Sequence, residues 1–288
     1  MSDTFTVTSP DGAQLAGLRW LPSGDPKAVI VIVHGMGEHS KRYAESAEVF
    51  TDAGYAVYAY DHRGHGGSVL PDREPGDLGD DGWQRLVGDI GSVVDHARSE
   101  HPGLKVALIA HSMGSFAAQQ FILDNSDRVD AVVLSGTAAL DGLEAALDLD
   151  AEIDLSAFNA PFEPARTEYD WLTRDEAIVD LYVADELCGF GLDAASGKDM
   201  FVQARPVADP ARIKAMTSTL PILIAVGDQD PVNGGLALAN LLLDHYIAGD
   251  LKDVEFKAYE GARHEILNET NRDEVRADLI AWIDSKVS

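Results

Sequence analysis

Ser112, Asp230 and His264 have the residue types and the placement needed for nucleophilic attack on a carbonyl carbon. A serine hydroxyl is a weak nucleophile until an imidazole takes its proton, and that imidazole needs a carboxylate to fix its tautomer. Ser112 stands in Ala110-His111-Ser112-Met113-Gly114, after the apolar run Val106–Ala110 and before a helix-like segment. A sharp strand-to-helix turn around a serine demands small residues two before and two after it, here Ala110 and Gly114. Asp230 lies in Gly227-Asp228-Gln229-Asp230-Pro231 after the run Ile222–Val226. His264 lies in Gly261-Ala262-Arg263-His264 after Val254–Tyr259. The order serine, acid, histidine, each at the end of a strand-like run, points to hydrolysis through an acyl-enzyme.

Each assignment has competitors. Of the nine histidines, His96 and His245 fall on predicted helices and His101 in a proline-containing turn. His111 adjoins the serine, and its ring is expected to point away and support the turn. Asp228 competes with Asp230, but Asp230 sits deeper in its loop and Pro231 stiffens the turn that aims it. Asp228 is then a structural hydrogen-bonding residue. A developing oxyanion needs two backbone N–H donors. Met113, directly after the serine, and Met36, in His34-Gly35-Met36-Gly37-Glu38-His39 after the run Ala28–Val33, are the expected donors, with His34 and His39 bracing the loop. The segment Asp61-His62-Arg63-Gly64-His65-Gly66-Gly67-Ser68 places two histidines near an acid. Zinc needs three or four convergent ligands and no matching pair is evident, so this reads as a turn stitched by Arg63 and His65. No metal and no other cofactor is expected. Cys188 has no catalytic partner in the sequence and is expected to be buried.

The elements that must position these residues follow a regular order. Phe5–Thr8 and Gln14–Trp20 alternate and suggest an antiparallel pair. Ala28–Val33, Tyr55–Tyr60, Val106–Ala110, Ala131–Ser135, Ile222–Val226 and Val254–Tyr259 read as further strands, so the count is eight. Helices are expected over Tyr43–Ala53, Trp83–Ser99, Ser112–Leu123, Gly234–Ala248 and Thr270–Lys286, the last opening on a capping box of Thr270 and Asp273. Strands alternating with helices imply an α/β fold with a mostly parallel sheet covered on both faces. Ligands bind such sheets at the carboxyl ends of the strands, where all three residues fall. Residues 137–216 interrupt the pattern with acids, aromatics and short helical stretches, including a stripe of Leu140, Leu143 and Leu147 and a helix over Ala177–Glu186. This segment is expected to be a helical cap over the strand ends, outside the core formed by residues 1–136 and 217–288.

A formal charge of −27 argues against nucleic acid, which needs clustered Lys and Arg, and against anionic lipid surfaces. No run is apolar for long enough to cross a bilayer. The first residues lack a basic start followed by an apolar run, and a single cysteine excludes an internal disulfide, so cytoplasmic residence is the expectation.

In combination, His34–Tyr43 (HGMGEHSKRY), Asp61–Ser68 (DHRGHGGS), Ala110–Gly114 (AHSMG), Gly227–Val232 (GDQDPV) and Tyr259–Glu269 (YEGARHEILNE) resemble the α/β-hydrolase family of monoacylglycerol lipases and lysophospholipase-like, serine aminopeptidase-type hydrolases. Within the expected cap, Phe162–Thr167 and Asp170–Asp175 resemble some lysophospholipase-like members. The resemblance implies Ser112 as nucleophile, Asp230 as acid, His264 as base and the Met36 and Met113 amides as oxyanion hole. Ala110 stands where a glycine is usual, and Ser115 where a second glycine is common. The expected activity is hydrolysis of a small-molecule acyl ester, with monoacylglycerols or comparable short- to medium-chain acyl esters as the leading substrates. The alternatives are an amide or peptide hydrolase on the same fold, or a ligand-binding relative without turnover. Epoxide and dehalogenation chemistry would need an aspartate in place of Ser112.

Overall fold

In the computed structural model, the residues described are 1–145, 148–149 and 153–287. Runs rich in Val, Ile, Leu and Ala build the centre of the sheet: β3 (Ala28–Val33), β5 (Val106–His111), β6 (Ala131–Ser135) and β7 (Ile222–Gly227) are buried throughout. β1 (Ser2–Thr8), β2 (Gln14–Trp20), β4 (Tyr55–Tyr60) and β8 (Val254–Tyr259) complete eight strands in the order β1-β2-β4-β3-β5-β6-β7-β8. β1 and β2 pair antiparallel, as do β2 and β4, and every later pairing is parallel. The register sets Val33 beside Ala110, Ala110 beside Leu134 and Gly227 beside Tyr259, so the loops after β3, β5, β7 and β8 leave from one rim.

Helices cover both faces. On one face α1 (Ala44–Asp52) and α9 (Arg272–Val287) bury Phe50, Leu279 and Ile283. On the other, α2 (Gly82–Glu100), α3 (Met113–Asn125) and α8 (Ala237–Ala248) contribute Leu86, Ile90, Phe116, Phe121 and Leu242. α8 starts three residues later than the sequence pattern suggests because Gly234, Gly235 and Leu236 all adopt positive φ. α9 likewise begins at Arg272. The expected capping box does not form, because the Thr270 hydroxyl and amide both donate to Glu269 Oε2.

Between β6 and β7 the described residues form helices only: α4 (Leu140–Glu144), a 3-10 stretch Leu155–Phe162, α5 (Glu176–Ala184), α6 (Ala194–Ala204) and α7 (Pro210–Lys214). Several of this segment's apolar side chains nevertheless reach the buried cluster beneath. Leu143, Trp171, Met200, Phe201 and Ile213 belong to the same buried apolar cluster as Phe116 and Phe121, because α6 packs on α2 and α3. Leu140 and Leu143 are buried as the stripe predicts, whereas Leu147 lies outside the described residues.

Candidate active site

Ser112 links β5 to α3 with φ 51° and ψ −124°, a conformation a non-glycine residue adopts only when its surroundings hold it. They do. Its N–H donates to Ser135 O (2.9 Å), and its carbonyl accepts from the Ser115 N–H (2.7 Å) and Ser115 Oγ (2.6 Å). A Cβ at position 114 would lie 2.3 Å from His34 O and 2.4 Å from Val33 O, so only glycine lets α3 start this close to the end of β3. Ala110 is accommodated in β5, fully buried.

Asp230 Oδ2 lies 3.0 Å from His264 Nδ1, while Asp230 Oδ1 accepts the Val232 N–H at 2.9 Å. A carboxylate can only accept, so Nδ1 carries the proton and Nε2 is left as the basic nitrogen. Both residues are essentially inaccessible, Asp230 at 0% and His264 at 1% exposure. Asp228 serves elsewhere: its Oδ1 accepts the Gly261 N–H at 2.8 Å and fixes the loop that carries His264. Ser112 and His264 line one pocket.

Two further rings flank the imidazole, Trp171 at 4.8 Å and His111 at 4.7 Å between centroids. His111 does not point away from the site, as its position beside the serine had suggested. The bare Cα of Gly136 makes room, since a Cβ there would lie 2.7 Å from His111 Cε1 and 3.0 Å from His264 Cε1. Burial, followed by the neighbouring His264, pushes His111 down to about 4, so it stays neutral beside the His264 imidazole.

Met36 and Met113 line an apolar cavity with Ser112. Met113 opens α3, and the first amides of a helix have no intrahelical acceptor. The loop of Met36 is held by charged and hydroxyl groups that the sequence reading did not single out. Glu38 Oε1 accepts the Gly35 N–H (2.6 Å) and the Tyr43 hydroxyl (2.8 Å). Arg42 reaches Glu38 (2.7 Å) and grips Glu265 with two bonds (2.6 and 2.7 Å). Burial pushes the Glu38 carboxyl up, but Arg42 and then the nearby histidines outweigh it and hold the group at about 2. Tyr182 OH and the Gly189 N–H both donate to Gly37 O, at 2.9 and 3.0 Å.

His34 and His39 brace the loop as expected: His34 Nε2 accepts the His62 N–H (2.9 Å), and His39 Nε2 lies 2.9 Å from Asp185 Oδ2. Arg63 ties its turn to Asp89 (2.8 Å) and Asp11 (3.0 Å), and His65 Nδ1 approaches Arg63 O at 3.1 Å. The oxygens of Asp61 are occupied by the Ser40 and Gly67 amides.

Ser112 lines two spaces. The apolar cavity, about 40 Å³, runs past Phe116, Phe158 and Met200. It shares Leu143, Ile153, Phe158, Phe201 and Val232 with a wider groove of about 460 Å³ that reaches Pro231 and Leu238. A second pocket of about 10 Å³, also lined by Ser112, includes Glu38, His111, Tyr182 and Glu265 and has room for about one water.

A family model described as serine aminopeptidase, S33, matches residues 24–271. The chain belongs to this family. This S33-type chain is 33% identical over 270 residues to a monoacylglycerol lipase of Mycolicibacterium smegmatis, covering 92% of this chain and 90% of that protein. It is 30% identical to the monoglyceride lipase of Homo sapiens, covering 90% and 82%. Among solved structures, a thermostable carboxyl esterase from Bacillus coagulans superposes with a TM-score of 0.85 at 25% identity, covering 100% of this chain and 99% of the other. A monoglyceride lipase from Saccharomyces cerevisiae shares the fold with a TM-score of 0.77 at 19% identity, covering 100% and 96%. The chain is therefore an esterase- and lipase-like α/β hydrolase.

Proposed function

We propose that this hydrolase cleaves monoacylglycerols and comparable carboxylic esters with short to medium acyl chains. The observation that carries the reading is Ser112, which lines an apolar channel and shares a second, small pocket with an imidazole fixed by Asp230. Ser112 Oγ attacks the ester carbonyl while His264 Nε2 takes its proton. The Met36 and Met113 amides hold the oxyanion. The alcohol leaves with the proton from His264, and a water activated by the same nitrogen releases the acid. The acyl chain runs over Phe158, Phe201 and Val232, where the narrow start of the channel favours short to medium unbranched chains. The helical segment 137–216 acts as a cap, since Leu143, Trp171 and Phe201 roof this channel.

The family's aminopeptidase description makes amide hydrolysis the second reading. An aminopeptidase needs a carboxylate to receive the substrate ammonium. The two carboxylates lining the small pocket, Glu38 and Glu265, are both engaged by Arg42, which favours esters. A panel of p-nitrophenyl esters of graded length, monoacylglycerols and aminoacyl amides tests the proposal. Turnover of the esters, lost in Ser112→Ala, is expected; turnover confined to the amides would overturn it.

A further inference from the structure

A side-chain cluster outside the reaction centre joins the Met36 loop to the helical segment above it. His39 ends that loop, while Asp185 and Cys188 follow α5. One ring nitrogen of His39, one carboxylate oxygen of Asp185 and Sγ of Cys188 lie within 4.8 Å of one another. His39 is 4% exposed, and its Nδ1 has no hydrogen-bond partner among the described residues. Asp185 and Cys188 are half-buried, which leaves the cluster open on one side to water. The cysteine is thus less enclosed than its sequence context suggested.

Imidazole, carboxylate and thiolate form a donor set suited to zinc, which binds nitrogen and oxygen at about 2.0–2.2 Å and sulfur at about 2.3 Å in a tetrahedron. Ligand atoms around such an ion stand roughly 3.3–3.8 Å apart, so the thiol has to draw in by at most about 1.5 Å, while His39 Nε2 and Asp185 Oδ2, now 2.9 Å apart, have to open by about half an ångström to admit the ion. We propose that His39, Asp185 and Cys188 bind a zinc ion that regulates the enzyme without entering its chemistry, with water as the fourth ligand. Binding exchanges protons for the metal: the Cys188 S–H bond breaks, an S–Zn bond forms and that proton passes to solvent, while the proton His39 Nε2 shares with Asp185 moves to the unpartnered Nδ1, leaving Nε2 free to ligate. Arg42 is the cation that opposes the ion, and its pairing with Glu38 and Glu265 offsets that charge. The bound ion would cross-link the Met36 loop to the segment after α5 and, by moving His39, shift the loop that offers the Met36 amide. That consequence, unlike the binding, rests on the ester-hydrolase reading above.

Cobalt(II) titration of the purified chain reads the site directly. The expected result is one equivalent bound with a near-ultraviolet thiolate-to-cobalt charge-transfer band, displaced by zinc and absent in Cys188→Ser. Zinc should reversibly inhibit ester hydrolysis, and Cys188→Ser should raise the inhibitory concentration at least about tenfold while keeping wild-type turnover in the absence of metal. A cobalt complex without the thiolate band, or zinc inhibition unchanged in Cys188→Ser, would overturn the site. Stoichiometric binding with no effect on hydrolysis would overturn its regulatory role. A thiolate band in a protein that hydrolyses no ester would support the site and refute the ester reading instead.

Discussion

The indole of Trp171 packs against the imidazole of His264 with ring centroids 4.8 Å apart and planes at 43°. The backbones are joined as well: the His264 N–H donates to Trp171 O (3.4 Å) and the Glu265 N–H to Leu172 O (2.8 Å). A residue of the inserted segment therefore helps hold the imidazole in place. Trp171→Ala should lower kcat by about ten- to a hundredfold through the lost orientation of the base, whereas Trp171→Phe should retain most of it. Steady-state kinetics on a short ester check this, and an unchanged kcat in the alanine variant would contradict it.

Asp230 and Asp228 differ in what they hold, so their asparagine variants should differ as sharply. Asp230→Asn allows the wrong imidazole tautomer and should reduce kcat by about 10⁴. Asp228→Asn loses part of its bond to the Gly261 N–H and should cost about 1 kcal/mol of stability with a minor loss of turnover. Parallel kcat and urea-midpoint measurements separate the two, and equal losses of kcat would refute the assignment.

Arg42 lies between two buried carboxylates. Arg42→Met would leave Glu38 and Glu265 facing each other without a counter-charge, at a cost of about 3–5 kcal/mol. A chemical-denaturation midpoint close to that of the wild type would show that the clamp contributes little.

Acid should destabilise the fold through its buried histidines. Burial pushes His65 down to about 3 and His111 to about 4, and lowers His34 and His62 as well. Below the ordinary value of 6.5 the unfolded chain binds protons that the native one refuses, so stability rises with pH through this window. It is fully present above the unfolded value and is lost as pH falls toward the folded values. Each such group contributes about 1.4 kcal/mol per pH unit. Urea midpoints should fall steeply between about pH 7 and about pH 5; a flat profile would contradict the neutral buried rings.

The sheet was legible because its signals are local. Gln14–Trp20, Ala28–Val33, Tyr55–Tyr60, Ala131–Ser135 and Val254–Tyr259 form strands with the bounds their β-branched and aromatic runs suggest. The turns carrying Ser112, Asp230 and His264 were marked by small residues and a proline at the strand ends. The clamp was not legible, because Arg42 and Glu265 stand 223 residues apart and nothing in either neighbourhood announces the other. The Glu38–Arg42 spacing was the one available clue. The direction of the His111 ring depended on the missing side chain of Gly136, and the cover over His264 on Trp171, in a segment without a strong periodic pattern. Some side chains of that segment, Leu143, Met200 and Phe201 among them, also share the buried cluster of Phe116 and Phe121.

The central claim is that Ser112 is the residue that becomes acylated. Intact-mass and peptide-mapping spectrometry after reaction with a fluorophosphonate, and after rapid quenching with a p-nitrophenyl ester, reads it directly. The account predicts one adduct per chain, located on Ser112 and absent in Ser112→Ala. An adduct on any other residue, or ester turnover that persists in Ser112→Ala, would contradict it.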